Sequence, residues 1–153
     1  AMTARDISSS TVNNLVGALQ QARVEALSRG ETVAVCPLTV ATPCNPNAAP
    51  ACAAADWRCG WAVVRVAAGE TLRVFPEPRR QIAIALSGIG GASPKPVRFT
   101  NRGELPPEPQ TTGDATLTVD VFPSVDHGDP AAIIRRVAVS VNRVGLIRSE
   151  VTQ

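Results

Sequence analysis

Apolar positions fall on one stripe at helical spacing over the first thirty residues: Val12, Leu15, Val16, Leu19, Ala22, Ala26 and Leu27, ending at Gly30. The pattern predicts an amphipathic helix that begins near residue 1 and stops at Gly30, with Glu25 and Arg29 paired one turn apart. Ser8, Ser9, Ser10 and Thr11 offer an N-cap to a helix that starts there, or lie on the polar face of a longer one. Beyond Gly30 the period drops from 3.6 to 2, as in Thr32-Val33-Ala34-Val35 and Thr116-Leu117-Thr118-Val119-Asp120-Val121. One helix followed only by strands predicts an α+β fold, the helix packed on antiparallel sheet.

Strand candidates follow in order. Thr32–Cys36 leads into a segment rich in Ala, Pro and Asn that ends at Trp57-Arg58-Cys59-Gly60-Trp61. Trp61–Val66 and Thr71–Phe75 read as a hairpin closed by Ala67-Ala68-Gly69-Glu70. Ile82–Leu86 and Val97–Thr100 are short strands separated by the glycine-rich turn from Ser87 to Pro94. Thr116–Phe122 precedes a loop holding Asp126, His127 and Asp129. Ile133–Val141 and the stretch from Asn142 to Arg148 form a terminal hairpin. The 153 residues, 44% of them apolar, make a single domain: 1–30 the helix and 31–153 a β-rich head with a cystine loop at 36–59. The apolar runs are far shorter than the roughly 20 residues a bilayer helix needs, so the chain as it stands is expected to be soluble. Ala1-Met2 reads as an expression scar.

Cys36, Cys44, Cys52 and Cys59 lie at C-x7-C-x7-C-x6-C, with no close pair of the kind zinc knuckles use. Their even number and loop setting point to two disulfides in an oxidising compartment, each contributing about 2–4 kcal/mol. Three pairings are possible in principle: nested pairing, Cys36 with Cys59 and Cys44 with Cys52, would pin the neck of the loop, and the crossed alternative stays open. Catalytic devices are scarce. His127 is the one histidine and sits in an acidic loop, no two carboxylates are placed to divide acid and base roles, and Gly88-x-Gly90-Gly91 leads to Pro94 rather than a helix. No enzyme activity and no cofactor are expected. Trp57 and Trp61 are read as core cover beside the cystine loop. Of the 15 basic residues only Lys95 is a lysine. Arg135, Arg136, Arg143 and Arg148 could form a phosphate-binding stripe for DNA, and edge-strand charge accounts for them as well.

The run from Asn14 to Gly30, followed by Val33-Ala34-Val35-Cys36-Pro37, resembles the H-type minor pilins: the type II secretion pseudopilin H and the type IV pilus subunits FimT and FimU. Three further matches come in order: Trp57-x2-Gly60-Trp61, then Val97-Arg98-Phe99-x3-Gly103, then Arg136-Val137-Ala138-Val139 with Gly145. The resemblance implies a hydrophobic half-helix ahead of the present start, which would anchor the subunit in the inner membrane and later pack inside a filament. It also implies a pilin-like head in the periplasm or at a pilus tip, with other minor and major pilins, or pseudopilins, as partners through the helix stripe. DNA-binding members of the FimT branch resemble one another in a C-terminal Gly-Arg-x-Arg. Here the stretch is Gly145-Leu146-Ile147-Arg148, with Leu146 where the first arginine stands.

Overall fold

The N-terminal stripe folds as one helix, α1 (Ala4–Arg29), in a computed structural model that describes residues 3–38, 57–76, 78, 81–89, 96–107, 111–123 and 133–152. The helix starts at Thr3, ahead of the serine run. Thr3 Oγ1 accepts from Asp6 N–H (3.2 Å) and Asp6 Oδ2 accepts from Thr3 N–H (3.4 Å), a reciprocal cap that satisfies two otherwise unpaired donors. Gly30 ends it at φ 64°, where its N–H reaches Ala26 O at 3.0 Å, and the predicted Glu25–Arg29 pair closes at 2.6 Å.

Among the described residues eight strands follow: β1 (Val33–Pro37), β2 (Trp61–Arg65), β3 (Glu70–Phe75), β4 (Ile82–Ile89), β5 (Val97–Phe99), β6 (Thr111–Val121), β7 (Arg135–Val141) and β8 (Ile147–Val151). They form two antiparallel sheets of four, ordered β3-β2-β1-β5 and β4-β6-β7-β8. The predicted hairpins β2–β3 and β7–β8 are both present. The helix lies across both sheets, touching β1, β2 and β5 of one and β6, β7 and β8 of the other. The core is therefore one cluster, with Leu15, Leu19, Ala22 and Ala26 from the helix, Val35, Val63 and Phe99 from the first sheet and Leu117, Val119 and Val139 from the second.

The two sheets differ in what their outer faces meet. In β6 and β7 buried residues alternate with half-buried ones, as the period of two predicts. In β1 every position is buried, and Ala34, Cys36, Ala62 and Val64 form a second apolar cluster with Leu38 behind the first sheet. The run Val-Ala-Val-Cys thus marks a strand buried on both faces, a pattern nearer to continuous than to alternating.

The expected turn from Ser87 is corrected in part. Strand β4 continues through Gly88 to Ile89, and its register against β6 shifts there. Gly88 sits at φ 88°, and a Cβ on it would stand 2.0 Å from Asp114 O, so a bulge needs glycine at this point. The remainder, from Gly90 to Lys95, lies outside the described residues.

Candidate assembly interface

The stripe is spent inside the molecule. Val12, Leu15, Leu19, Ala22 and Ala26 are buried against the chain's own sheets, together with Ile7 and Ala18, and Val16 is half-buried against the same core. Only Leu27, 46% exposed, remains largely open. What these side chains do is hold the head to the helix. The exposed helix face is the opposite one, with Ser10, Asn13, Asn14 and Gln20 and, toward its C-terminal end, Val24 at 61% exposure.

Polar contacts reinforce the attachment near both ends. Ser8 is fully buried, and Thr11 nearly so, which places two of the four residues read as cap or polar face on the core side. Ser8 Oγ donates to Arg5 O at 3.0 Å and accepts from Arg135 Nε–H at 2.8 Å, tying the first turns of the helix to the start of β7. Further along, Arg23 Nε–H donates to Gly103 O at 3.1 Å. Gly103 (φ 71°) and Gly145 (φ 93°) meet there, with Leu27 against the first of them. Leu105 N–H reaches Arg143 O at 3.1 Å, so the 100–107 loop and the β7–β8 turn are joined as well. Gly103 and Gly145, matched above by resemblance alone, thus occupy one three-way junction of helix, loop and turn.

The four arginines do not form a stripe. Arg135 points to the helix. Arg136, on the other face of β7, forks onto Asp120 with Nε at 2.6 Å from Oδ1 and Nη2 at 3.2 Å from Oδ2, and that hydrogen bond raises its pKa. Arg143 lies in the turn and lines a groove of about 470 Å³ with Thr100, Asn101, Arg102 and Glu104. Arg148 lies on β8 beside a second groove of about 410 Å³, which Asp114 also lines. Sequence reasoning missed a further basic centre: Arg65 bridges Glu31 (2.5 Å) and Glu70 (2.7 Å). Its hydrogen bond holds Glu31 below the usual carboxylate range, and the two carboxylates raise Arg65 in turn.

Cys36 and Cys59 are both disulfide-bonded, which removes them as thiolate ligands for zinc. Cys44 and Cys52, and with them the pairing, lie outside the described residues, as does the loop of Asp126, His127 and Asp129. Among the described residues no group of three or more His, Cys, Asp or Glu is placed to hold a metal ion. Trp57 and Trp61 are buried as core cover, with ring centroids 6.4 Å apart. Trp61 stacks on Phe75 at 6.3 Å, and Arg73 lies over the far side of that chain of rings, 4.4 Å from the Phe75 centroid. The Trp61 indole N–H is buried, with no acceptor among the described residues.

A family model described as Type II transport protein GspH matches residues 11–145, from the helix stripe to the glycine junction. The chain belongs to the GspH family. Two crystal structures of the Pseudomonas aeruginosa type IV minor pilin FimU, in space groups P21 and P65, share its fold at a TM-score of 0.63. Identity is 20% over 93% of this chain and 87% of the first structure, and 19% over 93% and 91% for the second. No curated protein matches the chain. In this GspH-family member no described helix is long and apolar enough to cross a membrane.

Proposed function

We propose that the chain is a minor pilin, a structural subunit of the tip or priming complex of a type IV pilus. The observation that carries the reading is the fold: a long helix laid across two antiparallel sheets, shared over 93% of the chain with a type IV minor pilin. The disulfide-bonded Cys36 and Cys59 fit a head that works in the periplasm and then at the cell surface. The subunit's task is assembly with other pilins, through the open helix face and the margins of the head. Deleting the gene should abolish or sharply reduce piliation, and the isolated head should capture other minor pilins. A normally piliated deletion strain would refute the proposal.

The family description favours a second reading, a minor pseudopilin of type II secretion. In that case deletion blocks export of secreted enzymes and leaves pili intact, so the same strain separates the two. DNA binding is not the reading adopted: Arg135 and Arg136 are engaged within the chain, by Ser8 and Asp120.

A further inference from the structure

Each four-stranded sheet leaves two edges, and three of the four are interrupted. Strand β3 carries a bulge where it pairs with β2, β4 breaks register at Gly88, and β5 is three residues long. Bulges and short strands are the usual devices that keep an edge from pairing with another chain. Strand β8 (Ile-Arg-Ser-Glu-Val) has neither a bulge nor so short a run, and the two charges it carries, Arg148 and Glu150, are opposite in sign and so guard only against edges that do not complement them. Its register on β7 is regular from end to end, and four of its five residues are exposed.

The flanking hydrogen bonds say which backbone groups are free. Thr152 N–H reaches Arg136 O at 3.0 Å and Asn142 N–H reaches Leu146 O at 3.0 Å, so even-numbered residues of β8 bond into β7. By the alternation of an antiparallel ladder, Ile147, Ser149 and Val151 turn their N–H and C=O groups outward. A second β8 laid antiparallel about Ser149 meets those groups in register: Ser149 faces Ser149, and Ile147 faces Val151. The positions between them, where side chains approach most closely, set Arg148 of each copy opposite Glu150 of the other. Among the described residues these two charges have no such complement within the chain. The residues across from them on β7 are Ser140 and Ala138, and neither makes an ion pair among the described residues. Val151, 54% exposed, also gains Ile147 of the copy as cover.

We infer that β8 is a self-complementary edge that pairs two copies of this chain about a two-fold axis through Ser149, joining their second sheets into one of eight strands. The interface is isologous, so one contact is made twice. It is a single strand pair, and its dissociation constant is on the order of 0.1 mM. The inference does not depend on the pilin reading, since the chain alone is its own partner.

Sedimentation of the isolated chain from about 10 μM to about 1 mM, a range that brackets that constant, tests it. The expected result is a reversible monomer–dimer equilibrium. Ser149→Pro removes an outward N–H without touching the β7 ladder, and should leave a monomer with unchanged thermal stability. Arg148→Glu and Glu150→Arg each place like charges opposite one another twice, and should weaken the dimer about tenfold or more. The double exchange R148E/E150R restores complementarity and the dimer with it. A chain that stays monomeric throughout the range, a dimer indifferent to Ser149→Pro, or a double exchange no tighter than its single parents would overturn the inference.

Discussion

Replacing Gly145 by alanine should be among the most damaging single-methyl changes in this protein. The residue sits at φ 93°, a conformation that costs a side chain about 1–2 kcal/mol. Its new Cβ would stand 1.9 Å from Gly103 O, well inside contact distance, with backbone on both sides, and 2.8 Å from Arg23 Nε. Either the 100–104 loop or the β7–β8 turn must move, and the Arg23 to Gly103 hydrogen bond, 3.1 Å long and charge-assisted, is lost in the process. That bond contributes about 1–2 kcal/mol. Together the two effects predict a loss of about 2–4 kcal/mol. Urea unfolding followed by Trp57 and Trp61 fluorescence measures it, and with a slope of about 2 kcal/mol per molar the midpoint falls by ~1–2 M. Because Gly145→Ala already breaks the bond, adding Arg23→Ala should cost clearly less in that background than in the parent. A midpoint within about 0.3 M of the parent, or strictly additive losses, would refute the junction as drawn.

Gly17→Ala is the opposite case: the site is inside the helix, nothing lies within 4 Å of the added carbon, and a gain of ~0.5–1 kcal/mol should appear in the same unfolding assay. Ser8→Ala leaves the Arg135 Nε–H without its acceptor at the helix–β7 contact and should lose about 1–2 kcal/mol, with no change in helix content by circular dichroism. Glu31 titrates below its ordinary range when folded because Arg65 donates to it, so its contribution is present above the unfolded pKa and fades as pH falls through the folded one. Glu31→Gln should therefore flatten the stability profile below about pH 4.5, an effect visible as converging midpoints in acid urea titrations.

The helix, the order of strands and both hairpins were legible because each is a local pattern: a 3.6 period capped by Gly30, then runs of two-residue period separated by turn residues. The contacts that fasten the helix were not. Ser8 reads as polar in any window, and of the two partners that satisfy it when buried, Arg5 O is local but Arg135 is far away in sequence. Arg65 was equally silent, since its carboxylates come from the turn after α1 and from the start of β3. The bulge at Gly88 imitates a turn because glycine serves both, and what decides between them is Asp114 O, a neighbour in β6. The surroundings of the arginines were hidden for a related reason. Adjacency on β7 fixes that Arg135 and Arg136 face opposite sides, but not that Ser8 and Asp120 wait there.

The placement of the stripe changes what the helix can do for an assembly. An amphipathic helix with an unsatisfied apolar face would be drawn to neighbours by that face, and the head would hang from it loosely. Here the apolar face is consumed by both sheets, and the polar anchors, Ser8 with Arg135 and Arg23 with Gly103, sit toward opposite ends of the contact. Two anchors separated by fifteen residues, about four helical turns, resist rotation as well as sliding, which a single hydrophobic contact does not. Helix and head then behave as one body, so a displacement applied to the helix moves the sheets and their edges with it. Among the described residues, the surfaces left open are the polar outer face of the helix, Val24 and Leu27 near its end, and the edge of β8. Those surfaces, rather than the apolar stripe, are where substitutions should separate assembly from folding.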